Sequence, residues 1–167
     1  MILATHAVVG TIVATTLTSN PYIAFTIAFG SHFMLDSIPH WDYSLLSFKK
    51  DPEGKLNHDM VIGKKFLFDL TRIGIDALIG AIISFTLAFY ILDIHSIPLV
   101  CATILGGILP DPLQFVYWKT RSRFLLPLQK FHKWIHARSI QIHHTHGLLL
   151  QIAIMLLFLL ASITVKN

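Results

Sequence analysis

Gly30 to Asp42, GSHFMLDSIPHWD, sets two histidines and two aspartates at the end of an apolar stretch. His32 and Asp36 are four residues apart, so on a helix they lie one turn above each other on the same face. Pro39 stops that helix, and His40 and Asp42 follow in the chain that leaves it. An imidazole and a carboxylate on one face, backed by a second such pair beyond a turn, make the donor set of a first-row metal. The alternative is a group of interfacial polar side chains ending a membrane helix.

Composition puts this stretch in a membrane protein. Of 167 residues, 54% are hydrophobic and only 13% are charged. The mean hydropathy is +0.65, too apolar for a soluble domain of this length. A single cysteine, Cys101, excludes an intrachain disulfide and a Cys-rich zinc module, so a metal would be held by His and carboxylate. The net charge of +4 comes from basic residues that flank apolar segments instead of forming one stripe, which argues against a nucleic-acid partner and for topology signals. No Lys or Arg precedes Lys49 and no small-residue cleavage site follows the first apolar run, so that segment is expected to stay in the mature protein.

Apolar segments at 2–18, 21–36, 73–92, 97–118 and 147–165 predict an all-α polytopic bundle of about five transmembrane helices in one domain over 1–167. The first two are shorter than a perpendicular span needs. From about Asp59 the chain reads as an amphipathic cytoplasmic helix leading into the third segment. If all five cross, every one of the 13 Lys and Arg except Lys166 shares one face with the N-terminus, and the positive-inside rule makes that face cytoplasmic. All histidines except His95 and all acids except Asp93 fall on the same side or in the inner half of a span. His6, Asp76 and Asp111 thereby join His32 and Asp36 at one leaflet, which strengthens the metal reading. The two halves also echo each other. His6 and Asp76 each stand four before a glycine, and Gly30 to Asp36 matches Gly106 to Asp111, which points to a duplicated helical hairpin followed by a C-terminal helix.

Other histidines carry open alternatives. His132 and His136, four apart in FHKWIHARS, are either a second ligand pair or part of an amphipathic helix whose Lys133, Trp134 and Arg138 lie on anionic headgroups. His143, His144 and His146 are dense enough that at least one is expected to ligate, with His144 and His146 as the candidates. His58 and Asp59 read more readily as a solvated loop than as a pair supporting a ligand. His6 alone would be a core histidine bonded to a carbonyl.

The pieces THAVVG around His6, the His32–Asp36 motif, GGILPD around Asp111 and THGLL around His146 together resemble a family of small bacterial integral membrane proteins described as metal-dependent hydrolases, distantly similar to zinc-dependent phospholipase C. Two positions depart from the family pattern. Leu113 stands where a second acid is common, and Ile142-His143-His144 replaces an HRG element, with His40 and Asp42 as substitutes. The resemblance implies a bacterial inner-membrane enzyme. Its zinc, manganese or iron would activate water for hydrolysis of an amphiphilic phosphoester, with Asp42 or Asp76 as general base or as orienter of a ligating histidine. Anionic headgroups are the expected surroundings. Three non-hydrolytic readings stand beside it. A metal-stabilised scaffold fits the same residues; a metal transporter would want ligands at mid-membrane; bis-histidine haem ligation leaves the carboxylates unexplained.

Overall fold

A computed structural model describes residues 1–52, 56, 58–136 and 143–166; Arg138 and Ile142, named above, lie outside them. The chain is helical, with α1 (Leu3–Leu17), α2 (Pro21–Asp36), α3 (Lys64–Tyr90), α4 (Ile97–Ile108), α5 (Pro110–Thr120), α6 (Leu126–His136) and α7 (His144–Lys166). One small antiparallel pair joins β1 (Phe48–Lys49) to β2 (Asp59–Met60).

α1 is the central element. Every residue from Leu3 to Ile12 is buried, and α2, α3, α4 and α7 all pack on it. A helix apolar on every side belongs inside a protein, and its few hydroxyls must find partners. Thr11 meets Thr103 of α4 at 2.9 Å and Thr16 meets Ser162 of α7 at 2.6 Å. Small residues let the backbones approach. Ala7, Ala14, Ala24, Ala28 and Ala88 are fully buried, and a Cβ at Gly107 would lie 2.6 Å from the His6 carbonyl oxygen.

Local chemistry sets the ends. Asn20 caps α2, its side-chain oxygen accepting from the Tyr22 and Ile23 amides at 2.9 and 3.3 Å, with Pro21 at the first helical position. α2 stops at Asp36, three residues before Pro39. The fourth apolar segment is bent by 49° between α4 and α5, where Pro110 and Pro112 lack the amides that would continue the ladder. The amphipathic lead-in and the third apolar segment form one helix, α3, that begins at Lys64. Buried Asp69 within it holds the loop before β1 by accepting from the amides of Leu46 and Ser47 at 3.1 and 2.7 Å.

α3 and α7 are long and apolar enough to cross a membrane, and the bent α4–α5 pair makes a third if it counts as one span. Their outward faces are apolar, with Ile75, Leu78 and Ile82 of α3 and Leu149, Leu157 and Leu160 of α7 all exposed, as membrane association requires. α1 and α2, at 15 and 16 residues, measure only about 22–24 Å at 1.5 Å per residue.

The close approach at Gly107 gives a direct check. Gly107→Ala is expected to destabilise the protein by about 1–3 kcal/mol through the clash with α1. Gly74→Ala, with nothing within 4 Å of its Cβ position, should stabilise by up to about 1 kcal/mol. Thermal unfolding of both variants in one detergent reads the difference in sign.

Candidate metal centre

Four elements converge on one carboxylate. Asp36, at the last position of α2, has no solvent exposure. Around it stand His6 of α1, Nε2 3.2 Å from Oδ1, and His32, one turn earlier on α2, Nε2 3.1 Å from Oδ2. α6 contributes two imidazoles on one face: Nε2 of both His132 and His136 lies 2.9 Å from Asp36 Oδ2. The Met1 amino group is 3.1 Å from Oδ1. Asp111 sits in the first turn of α5, just past the bend, with Oδ1 3.5 Å from His32 Nε2 and 3.6 Å from His132 Nε2.

The protonation pattern follows from the outer partners. His32 Nδ1 lies 2.7 Å from the Gly107 carbonyl oxygen and His40 Nδ1 lies 2.7 Å from that of Ile38. A carbonyl only accepts, so in each case Nδ1–H donates, which leaves Nε2 as the nitrogen that could ligate. Burial, helped by the Met1 ammonium, pushes the His40 pKa down to about 4, so that ring is neutral at pH 7. His32 Nε2 has no hydrogen-bond partner, nor does either nitrogen of His6, whose ring stacks on that of His32 at 3.8 Å. Buried polar atoms without partners are rare, and a cation held between these imidazoles and the carboxylates would satisfy them.

The residues fit a metal ion by spacing and by charge. His32, Asp36, Asp111 and His132 form one potential donor group, and Asp36, His40 and His136 form a second. Tetrahedral ligands about 2.1 Å from zinc lie about 3.4 Å from one another. The four nitrogen–oxygen separations in the first group, 3.1, 3.5, 2.9 and 3.6 Å, straddle that value. Two carboxylates with two imidazoles, which are neutral whenever they ligate, would balance one divalent cation. Asp36 belongs to both groups.

The remaining candidates are placed apart from these groups. Asp42 lies at the rim, half exposed, with Oδ2 3.8 Å from the Met1 nitrogen. Asp76 accepts from the Leu3 and Ala4 amides at 2.6 and 3.4 Å, so it caps the start of α1. His144 and His146 are exposed in the first turn of α7, where His143 packs on both rings.

Three further residues shape the site. His132 and His136 have the same four-residue spacing as His32 and Asp36, and that spacing was their signal. Gln151 of α7 is fully buried. Its oxygen accepts from the Ile2 amide and the Thr5 hydroxyl, and its nitrogen donates to the Trp41 carbonyl.

Elemental analysis of purified protein should find bound divalent metal that is lost in Asp36→Ala. Asp76→Ala should keep the metal while losing about 1 kcal/mol of stability as an uncapped helix start. Metal retained by Asp36→Ala would rule the centre out. The chain matches no family model, no curated protein and no solved structure, so its chemistry has to be read from this donor set.

Proposed function

We propose that this chain is a membrane-bound, metal-dependent hydrolase that cleaves a phosphoester of an amphiphilic, phospholipid-like substrate at the cytoplasmic membrane face. The observation that carries the reading is the sharing of Asp36 by two donor groups, each with one partly exposed member. His6, His32 and Asp36 are sealed at 0% exposure, whereas Asp111, His136 and Asp42 are 34%, 32% and 48% exposed. A structural site is closed, but catalysis needs a position open to water and substrate. Paired sites on a shared carboxylate suit phosphoester chemistry in particular.

When bound, a divalent ion, zinc foremost and manganese or iron as alternatives, supplies a Lewis acid and lowers the pKa of water toward neutrality. The residues of the chain do the rest. The carbonyls of Gly107 and Ile38 fix the tautomers of His32 and His40. Asp42, at the rim, is placed to take a proton or to orient one. Arg123 and Lys130, exposed beside and on α6, attract an anionic headgroup. The motif resemblance to membrane metal-dependent hydrolases, and the basic excursions that favour a cytoplasmic N-terminus, support the same assignment.

A screen of phosphoester and carboxyl-ester substrates on reconstituted protein tests the proposal. Turnover should vanish with a chelator, return with metal, and fall by roughly a thousandfold in His132→Ala, the several kcal/mol that a correctly held ion contributes. Stoichiometric metal with no turnover on any substrate would leave a metal-stabilised scaffold in its place.

A further inference from the structure

α6 is turned inside out. Its buried face carries Gln129, His132 and the partly buried His136, spaced as i, i+3 and i+7, while the exposed stripe is Pro127, Lys130, Phe131 and Trp134. An amphipathic helix of a soluble protein keeps its polar side outward. This one turns imidazoles inward and presents aromatic rings and a lysine to its surroundings. The turn before it continues the surface with Arg123 and Phe124, the latter 95% exposed.

The aromatic rings do not end on α6. Phe25, Phe29 and Phe33 run along α2 at successive centroid distances of 6.2 and 5.6 Å, and the series passes to Phe131 at 5.0 Å and then to Trp134 at 5.9 Å. Phe25 and Phe29 are half-buried and Phe33, which carries the series across to α6, is buried. The exposed stripe of α6 thus rests through Phe33 on the aromatic row of α2 and carries Lys130, with Arg123 in the turn before it. At 11 residues, α6 is about 16 Å long and cannot cross a bilayer. Aromatic side chains mixed with Lys and Arg on one side of a short helix match the boundary between acyl chains and anionic phosphates.

We propose that the outer face of α6 docks on an anionic lipid surface, and that this contact holds His132 and His136 against Asp36. The docking stands on the surface alone; its effect on the centre rests on the metal reading above. Because the two imidazoles and the lipid-facing stripe are opposite faces of the same three turns, any roll of α6 that takes the stripe out of the lipid also takes a ligand from each donor group away from Asp36. The enzyme would then assemble its full donor set only at the surface that carries its substrate.

Two measurements on the full chain in vesicles test this. In vesicles of phosphatidylglycerol brominated near the upper acyl chain, wild-type tryptophan fluorescence should be quenched, and most of that quenching should disappear in Trp134→Phe. Equal quenching of the two proteins would overturn the docking, with or without metal present. Zinc release to a competing chelator, followed in the same lipids without bromine, should be at least about tenfold faster for Lys130→Glu than for wild type. In zwitterionic phosphatidylcholine vesicles the two rates should agree. Equal rates in phosphatidylglycerol would overturn the coupling. A wild type that holds no zinc would instead defeat the metal reading and the coupling together, while the quenching result would still decide the docking.

Discussion

The arrangement hangs on one buried carboxylate. Burying Asp36 among apolar helices costs several kcal/mol unless nitrogen donors or a cation answer its charge. Here the answer comes from three separate segments: Met1 with His6, His32, and the two α6 histidines. Each must reach within about 3 Å, so the ends of α1, α2 and α6 are fixed relative to one another. Only backbones lined with small residues allow that approach. Gly107 contributes twice, since it lets α4 touch α1 at His6 and its carbonyl holds the His32 ring. A larger residue there would push apart the helices that the carboxylate draws together.

Much of this was legible in the chain, and the parts that were not share a cause. The His32–Asp36 spacing, the Asn20-Pro21 helix start and the long apolar runs of α3 and α7 are local signals, and local signals survive folding. Apolarity, however, does not say what surrounds a helix. α1 reads like a span because every side is apolar, yet four other helices pack on it. α6 raised the opposite difficulty. Lys133 and Trp134 read as a surface helix and His132 with His136 as ligands, and one helix with its imidazoles inward satisfies both readings. In His143 to His146, histidine density was a poor guide, because density carries no direction. Gly147, just after them, packs against Trp41, and His144 and His146 are left exposed.

The echo between His6 and Asp76 shows how far a sequence repeat can be taken. Both stand four before a glycine, but His6 is in the first turn of α1 and faces Asp36, while Asp76 lies near the middle of α3 and bonds the start of α1. Their roles are nonetheless connected. The first amides of a helix have no partner within it. In α1 those of Leu3 and Ala4 go to Asp76 of α3, and the preceding Ile2 amide goes to Gln151 of α7. His6 lies one turn further on. The two helices long enough to cross a membrane therefore grip the beginning of α1 and set the depth of the first imidazole. α1 can be short because its position comes from these bonds and not from lipid. The same grip carries Asp36 and its ligands, through His6, to a level fixed by the spans, which is where a water-using centre must sit if its substrate is embedded in the bilayer beside it.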